Sequence, residues 1–319
     1  VHTNMCVLGR PFGLRQMAKN GKNVVLIRDM TDTMYNPARS PYVSHFTGTD
    51  LIVEHIEKYV CPTVSSDQLV GGKPFRFSKD ERKHLVIVVA DQEYSTERTL
   101  PEFARQRLGR DFKVSLVTWP NRDSDELPGI EVLNDADIAL FSVWRRTPPT
   151  PQMEIIRKFI AEGKPVVGIR TASHAFVKRD GAVAPEYAAW PTFDSEVFGG
   201  NYDGHYRGTT PGSRGTMIWA EKQQEPSSLL VGIPAGELLS TSWLYKMSPL
   251  EPGAVLLLSG RVDQGTQQEP VAWTYRTSGG GRAFYTSLGH PDDFKLPWFQ
   301  NLLANGIYWA AGLPRNGAN

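Results

Sequence analysis

From His84 onward, short apolar runs alternate with amphipathic stretches, and this alternation constrains the fold more than any other feature of the sequence. "HLVIVVA", "FKVSLVT", "DIALFSVW" and "PVVGIR" have strand length, whereas "TLPEFARQRLG" and "PQMEIIRKFIAEG" place apolar residues at helical spacing. Strands that are apolar throughout must be covered on both faces. The pattern therefore predicts an α/β fold with a doubly wound, mostly parallel sheet. Thr150 followed by Pro151 predicts a helix start, with a capping hydroxyl and a proline in the first turn. Another helix is expected from about Thr171.

Residues 180–215 break the alternation with "WPTFDSEVFGGNYDGHYRGTTPG", a length of irregular chain that usually marks a functional loop or a partner surface. Beyond it come the strand-like runs "TMIWAEK", "AVLLLSG", "VAWTYRT" and "RAFYTSLG", and a closing helix "WFQNLLANGIYWAAG". The opening segment differs. "CVLGRPFGLRQMAKNG" reads as a helix stopped by Gly21 and "KNVVLIRD" as a strand, a pair too small to bury a core. It must dock on the rest of the chain, on another subunit, or on a preceding portion, and the start at Val1 fits a fragment or a processed product. "SSD" and "GGKP" mark a linker, with a boundary near Asp80. The expected organisation is an appendage at 1–65, a linker at 66–82, a main domain at 83–313 and a tail at 314–319.

Charge narrows the partners. Lys plus Arg number 35 and Asp plus Glu 34, so no bulk field attracts nucleic acid or an anionic membrane, and a small-molecule ligand is expected. Cys6 and Cys61 are the only cysteines, without a C-x-x-C pair, which argues against a disulfide scaffold or a structural zinc site and fits a cytoplasmic setting. No apolar run approaches the roughly 20 residues a bilayer span needs. A homo-oligomer is compatible with this composition.

In open parallel sheets, ligands bind beyond the carboxyl ends of the strands. Those ends carry Asp91, Gln92 and Glu93; Arg145 and Arg146; Arg170, Ser173 and His174; and His290, Asp292 and Asp293, while Tyr202 and His205 lie in the irregular stretch. His290 is the strongest candidate, because "GHPDDF" places a glycine, an imidazole and two acids directly after a buried strand, and a carboxylate can orient the ring. Each of the others has a structural alternative. Glu93 can be solvated or support a helix start, one of the two adjacent arginines can be a surface charge, His174 can be packed against backbone, and His205 can be held between tyrosines.

"GKPVVGIRTASHAF", "FGGNYDGHYRG" and "AFYTSLGHPDDF…FQNLLANGIYWAAG" together resemble the ThuA-like (trehalose utilisation) family over about residues 83–313. The resemblance implies a flavodoxin-like, class I glutamine amidotransferase-like fold and an enzyme acting on a carbohydrate or polyol. Amidotransferases of this fold carry a cysteine at the turn where this chain has Arg170, and His290 and Asp292 resemble their histidine and acid. A guanidinium is no nucleophile, so glutamine hydrolysis through a thioester is excluded. The implied site has His290, Asp292 and Glu93 in catalysis and Arg170, Ser173, His174, His205, Tyr202 and Arg145 in binding, with Trp144, Trp190 and Tyr202 as stacking surfaces. Glu93, His205 and His290 are candidate ligands for a divalent metal such as zinc; no other cofactor is implied. A non-catalytic binding or regulatory module, with Arg170 as an anion clamp, is the alternative.

A second resemblance covers the opening. "VHTNMCVLGRPFGLRQMAKNGKNVVLIRDMTD" is similar to the last third of an isochorismatase-like cysteine hydrolase, with Cys6 at the nucleophile position, where a helix N-terminus favours the thiolate. That family's Asp and Lys come from earlier strands that this chain lacks, so hydrolase activity would require an upstream segment. Cys61 is expected to serve packing.

Overall fold

Apolar residues on β2 (Lys83–Ala90) alternate between two cores, and this alternation organises the molecule. Leu85, Ile87 and Val89 face one side of the sheet, with Leu100, Phe103 and Ala104 of α1 (Thr96–Arg107) and Leu302, Leu303 and Ile307 of α3 (Pro297–Ala311). Val86, Val88 and Ala90 face the other, with Met153, Ile156, Phe159 and Ile160 of α2 (Thr150–Ala161). Burying each such side chain contributes about 2 kcal/mol, and a one-residue slip of β2 would exchange its two faces.

The computed structural model describes residues 82–315 except 110, 122, 179, 207–214, 224–226 and 263–265, together with the backbone of 43–45. The strands are β1 (Val43–His45), β2, β3 (Phe112–Thr118), β4 (Ile138–Val143), β5 (Val166–Ile169), β6 (His205–Tyr206), β7 (Thr216–Ala220), β8 (Leu238–Ser240), β9 (Leu244–Tyr245), β10 (Val255–Arg261), β11 (Glu269–Arg276) and β12 (Arg282–Thr286). Ten of them form one sheet in the order β1-β3-β2-β4-β5-β12-β11-β10-β7-β8, and β6 pairs with β9. Strands β3, β2, β4, β5 and β12 are mutually parallel. From β12 outward the pairing through β11, β10, β7 and β8 is antiparallel, and β1 adds antiparallel to β3. The strand expected within the first 30 residues lies outside the described residues.

Three local expectations are corrected. Thr150 does not cap α2: Pro149 holds that position, and the Thr150 hydroxyl donates to the Glu186 carbonyl at 3.2 Å. The segment after β5 is a five-residue 3-10 turn, Arg170–His174, rather than a longer helix. The stretch expected as a loop is partly core, since Trp190, Phe193, Val197 and Phe198 are buried. Gly168 of β5 makes this docking possible, because a Cβ there would stand 2.5 Å from the Phe198 ring. Among the described residues, no helix is long and apolar enough to cross a membrane.

Candidate functional site

Among the described residues, three non-glycine positions hold a left-handed backbone, and all three follow parallel strands at the carboxyl rim of the sheet: Ser95 (φ 51°) after β2, Arg145 (φ 48°) after β4 and Arg170 (φ 46°) after β5. Each such residue costs about 1–2 kcal/mol, and strain of this kind concentrates where geometry serves function. The rim is completed by the turn after β12 and by the ribbon in which His205 pairs with Tyr245.

Arg170 is 1% exposed, and its guanidinium ends on protein. Nη1 donates to the carbonyls of Ser287 (2.7 Å) and Trp243 (3.0 Å), and Nη2 donates to the Tyr94 hydroxyl (3.1 Å). The cation lies 4.5 Å from the centre of the Tyr94 ring and 4.3 Å from that of Tyr245. The Tyr285 hydroxyl donates to the Arg170 carbonyl at 2.5 Å, and Nε is buried without a hydrogen-bond partner among the described residues. Burial acts most strongly on this group and against its charge, but the fields of Tyr245, Tyr94 and Asp293 outweigh it and raise the pKa. The expectation of an anion clamp is therefore corrected: Arg170 ties β5 to the turn after β12, to the β8–β9 turn and to Tyr94.

Ser173 and His174, expected to bind ligand, are also interior. The Ser173 hydroxyl donates to the Arg170 carbonyl and lies 3.1 Å from His174 Nδ1. The His174 ring is buried and stacks on Tyr202 with centroids 4.2 Å apart. Burial first, then the positive fields of Arg145 and Arg170, push its pKa down to about 3, so it is a neutral support for Tyr202.

His290 is placed differently. Gly289 adopts φ 134°, and the amides of Gly289 and His290 donate to Asp293 Oδ2 at 2.9 and 3.0 Å. Nδ1 accepts from the Asp292 amide (3.2 Å) and lies 3.3 Å from the Thr241 hydroxyl. In the neutral ring this assigns the proton to Nε2, an atom with no hydrogen-bond partner among the described residues, on a side chain 35% exposed. The acid expected to orient the ring was Asp292. Its carboxylate does lie 3.5 Å from Nδ1, but it is 45% exposed, bonded to Lys295 at 2.6 Å, and its pKa is lowered by that lysine. The buried anchor is Asp293, which also accepts from the Ser240 (2.5 Å) and Ser242 (2.6 Å) hydroxyls.

An aromatic wall stands beside this turn. His205 stacks on Trp243 at 4.9 Å and 20°, Trp243 is 46% exposed, and the Tyr202 hydroxyl is 3.5 Å from His205 Nδ1. The Tyr94 ring meets that of His290 edge-on at 6.1 Å, joining wall and imidazole through the Arg170 network. Glu93 is exposed, and its amide donates to Asp91 Oδ1 at 2.8 Å. Asp91 itself is buried, accepts from the Thr171 hydroxyl, and is pushed up to about 6, chiefly by burial. Trp190 belongs to the core, with its indole N–H donated to Glu196, so its expected stacking role is corrected. Trp144 is half-buried. Among the described residues, no group of three or more His, Cys, Asp or Glu could hold a metal ion, so Glu93, His205 and His290 do not form the expected ligand set. Tyr94, Thr241 and Trp243 were not foreseen; the last two lie between two strands of only three and two residues, too short to show a period.

Asp194 governs the approach of the wall to the core. Its Oδ2 accepts from the Tyr202 amide at 2.8 Å, while Oδ1 is buried without a hydrogen-bond partner among the described residues. Burial raises its pKa from 3.8 to about 7. A carboxyl whose folded pKa is raised favours the folded state below its unfolded pKa and loses that contribution as pH climbs through the folded value. For Asp194 the window runs from about pH 4 to about pH 7, and three units correspond to on the order of 4 kcal/mol. Asp194→Asn, which mimics the protonated acid, is expected to exceed wild-type stability by about 1.5 kcal/mol at pH 5 and by about 4 kcal/mol at pH 8. Urea unfolding at the two pH values measures this; an equal difference at both would contradict it.

A mostly parallel sheet covered by helices on both faces, with a tight turn after β5 that holds a buried cation and a His-Pro-Asp turn after β12, defines an α/β protein of flavodoxin-like architecture. A model of the ThuA family, described as trehalose utilisation, matches residues 83–310, and the chain belongs to that family. Among solved structures, a protein described as ThuA-like from Bacteroides uniformis aligns at 16% identity and TM-score 0.51, covering 75% of this chain and 95% of that one. Another, from Parabacteroides merdae, aligns at 15% identity and TM-score 0.54, covering 75% and 93%. At these identities the likeness is one of fold. Comparison with curated proteins gave no match. Nothing in these comparisons supports the isochorismatase-like resemblance of residues 1–65, and Cys6 and Cys61 lie outside the described residues.

Proposed function

We propose that the rim binds a carbohydrate or polyol and that His290 acts on it as general acid or base through Nε2. One observation carries this reading: an imidazole held at Nδ1, whose Nε2 meets no partner among the described residues, sits in the same network as a half-exposed Trp243 stacked on His205. A sugar ring presents an apolar face to an indole and hydroxyls around its edge, which is the complement of such a wall. Proton transfer by a positioned histidine suits reactions at a hydroxyl or at the carbon bearing it. Glu93, exposed at the end of the same sheet, supplies a second acid–base group. The family description, trehalose utilisation, supports the ligand class. A cytoplasmic site of action accompanies this proposal, on the strength of the cysteine-poor composition.

A non-catalytic binding module is the second reading, favoured by the cation at the nucleophile position. The two differ in what His290 does. Titration calorimetry and turnover assays against a panel of disaccharides and polyols separate them. Trp243→Ala is expected to weaken binding about tenfold, equivalent to 1.4 kcal/mol. His290→Ala is expected to lower kcat about 10²–10⁴-fold with little change in KM. Binding without turnover in the wild type would favour the module, and absence of binding by every sugar and polyol would contradict both.

A further inference from the structure

The two adjacent arginines after β4 have different surroundings. Arg146 is 5% exposed, with Nε donating to the Ala90 carbonyl and its guanidinium 5.5 Å from the centre of the Trp119 ring, in the field of Asp125, Asp123 and Asp91. Arg145 is half-buried, and its guanidinium makes no hydrogen bond or ion pair with a described residue. Its backbone is fixed all the same: φ is 48°, its amide donates to the His174 carbonyl at 3.3 Å, and the Arg146 amide donates to the Ala175 carbonyl at 2.6 Å. That bond to His174 sets Arg145 beside the aromatic wall, because the His174 ring stacks on Tyr202 and the Tyr202 hydroxyl lies 3.5 Å from His205; after burial, the charge of Arg145 is the largest influence on both His174 and Tyr202. Among the described residues, no carboxylate pairs with this cation, which is held in a strained backbone at the rim.

We infer that the ligand carries a carboxylate and that Arg145 receives it, so that the site takes a sugar acid in preference to the neutral sugar. This deepens the reading of the rim as a hydroxyl-binding site and rests on it. A guanidinium matches a carboxylate bidentately with two parallel N–H···O bonds. A phosphate dianion fits less well. Arg146 and Arg170 are both engaged by the protein, and Glu93, whose charge also reaches Tyr202, would repel a second negative charge.

The test is titration calorimetry of the full chain with glucuronate, glucose and glucose 6-phosphate. Wild type is expected to bind glucuronate about tenfold more tightly than glucose, with the preference shrinking at high salt. Arg145→Asn removes the charge with a residue that tolerates the left-handed backbone, and is expected to bring the glucuronate-to-glucose ratio to about 1. Arg145→Lys, which keeps the charge but loses the fork, should retain a part of the preference. Equal binding of glucose and glucuronate by wild type overturns this inference and leaves the hydroxyl-binding reading standing. Tightest binding of glucose 6-phosphate overturns the carboxylate assignment. Failure of all three to bind overturns the inference, and the panel of disaccharides and polyols then decides the reading beneath it.

Discussion

Arg170→Met is expected to destabilise the protein by about 3–5 kcal/mol, the range seen when one member of a buried charge network is removed. The reason is the number of groups left behind. Methionine fills part of the volume but donates nothing, so the carbonyls of Ser287 and Trp243 lose a buried partner, as does the Tyr94 hydroxyl. Asp293 loses the cation in whose field it lies. The aromatic sandwich of Tyr94 and Tyr245 loses the charge between its faces. Backbone strain cancels from the comparison, because methionine is no easier than arginine at φ 46°. Arg170→Lys sharpens the test. A lysine keeps the charge but cannot reach three acceptors from one planar fork, so about half of the loss should remain. Urea unfolding at pH 7 reads both variants, and an Arg170→Met protein within 1 kcal/mol of wild type would remove the structural role assigned here.

Asp293→Ala is the second large effect. Four donors converge on this carboxylate: the hydroxyls of Ser240 and Ser242 and the amides of Gly289 and His290. Alanine leaves them buried without an acceptor, at a cost of about 3–5 kcal/mol. The functional consequence follows from the same bonds. The two amides set the turn that carries His290, and the two serines belong to the β8–β9 segment that carries Thr241 and Trp243, so one carboxylate holds acid–base group and wall in register. Turnover is expected to fall at least 10²-fold even where the protein remains folded. Asp293→Asn, which keeps one acceptor oxygen but not the charge, should recover part of both losses. Circular dichroism melts paired with kinetics on the folded fraction separate stability from positioning. Unchanged kcat in a folded Asp293→Ala protein would show that the turn does not depend on this residue.

Much of the fold was legible because it follows from periodicity. The runs around β2, β3, β4 and β5 are mostly apolar and buried along nearly their whole length, as a doubly covered sheet requires, and the two long amphipathic segments became α1 and α2. The turn after β5 was legible as a place where a side chain is aimed. Where Arg170 aims was not, because its partners Tyr94, Trp243 and Ser287 stand 76, 73 and 117 residues away. The same distance effect hid the exchange between Asp292 and Asp293. Adjacent acids look alike in sequence, and only Ser240 and Ser242, more than 50 positions away, show which one is buried. Thr150 failed as a cap for a local reason, since its hydroxyl found the Glu186 carbonyl instead. Of the stacking residues expected within 190–202, Trp190 joins Phe193 and Phe198 in the core and Tyr202 stands at the rim, a division that sequence order does not show.

The central claim is that chemistry at this rim belongs to His290 and the aromatic wall, while Arg170 stays inside the protein. A crystal structure with the tightest-binding sugar of the panel tests it most directly. The account predicts a ring stacked on Trp243, a ligand hydroxyl within hydrogen-bond distance of His290 Nε2, and an Arg170 guanidinium still bonded to the carbonyls of Ser287 and Trp243. A ligand bonded to Arg170, or seated away from both Trp243 and His290, would contradict it.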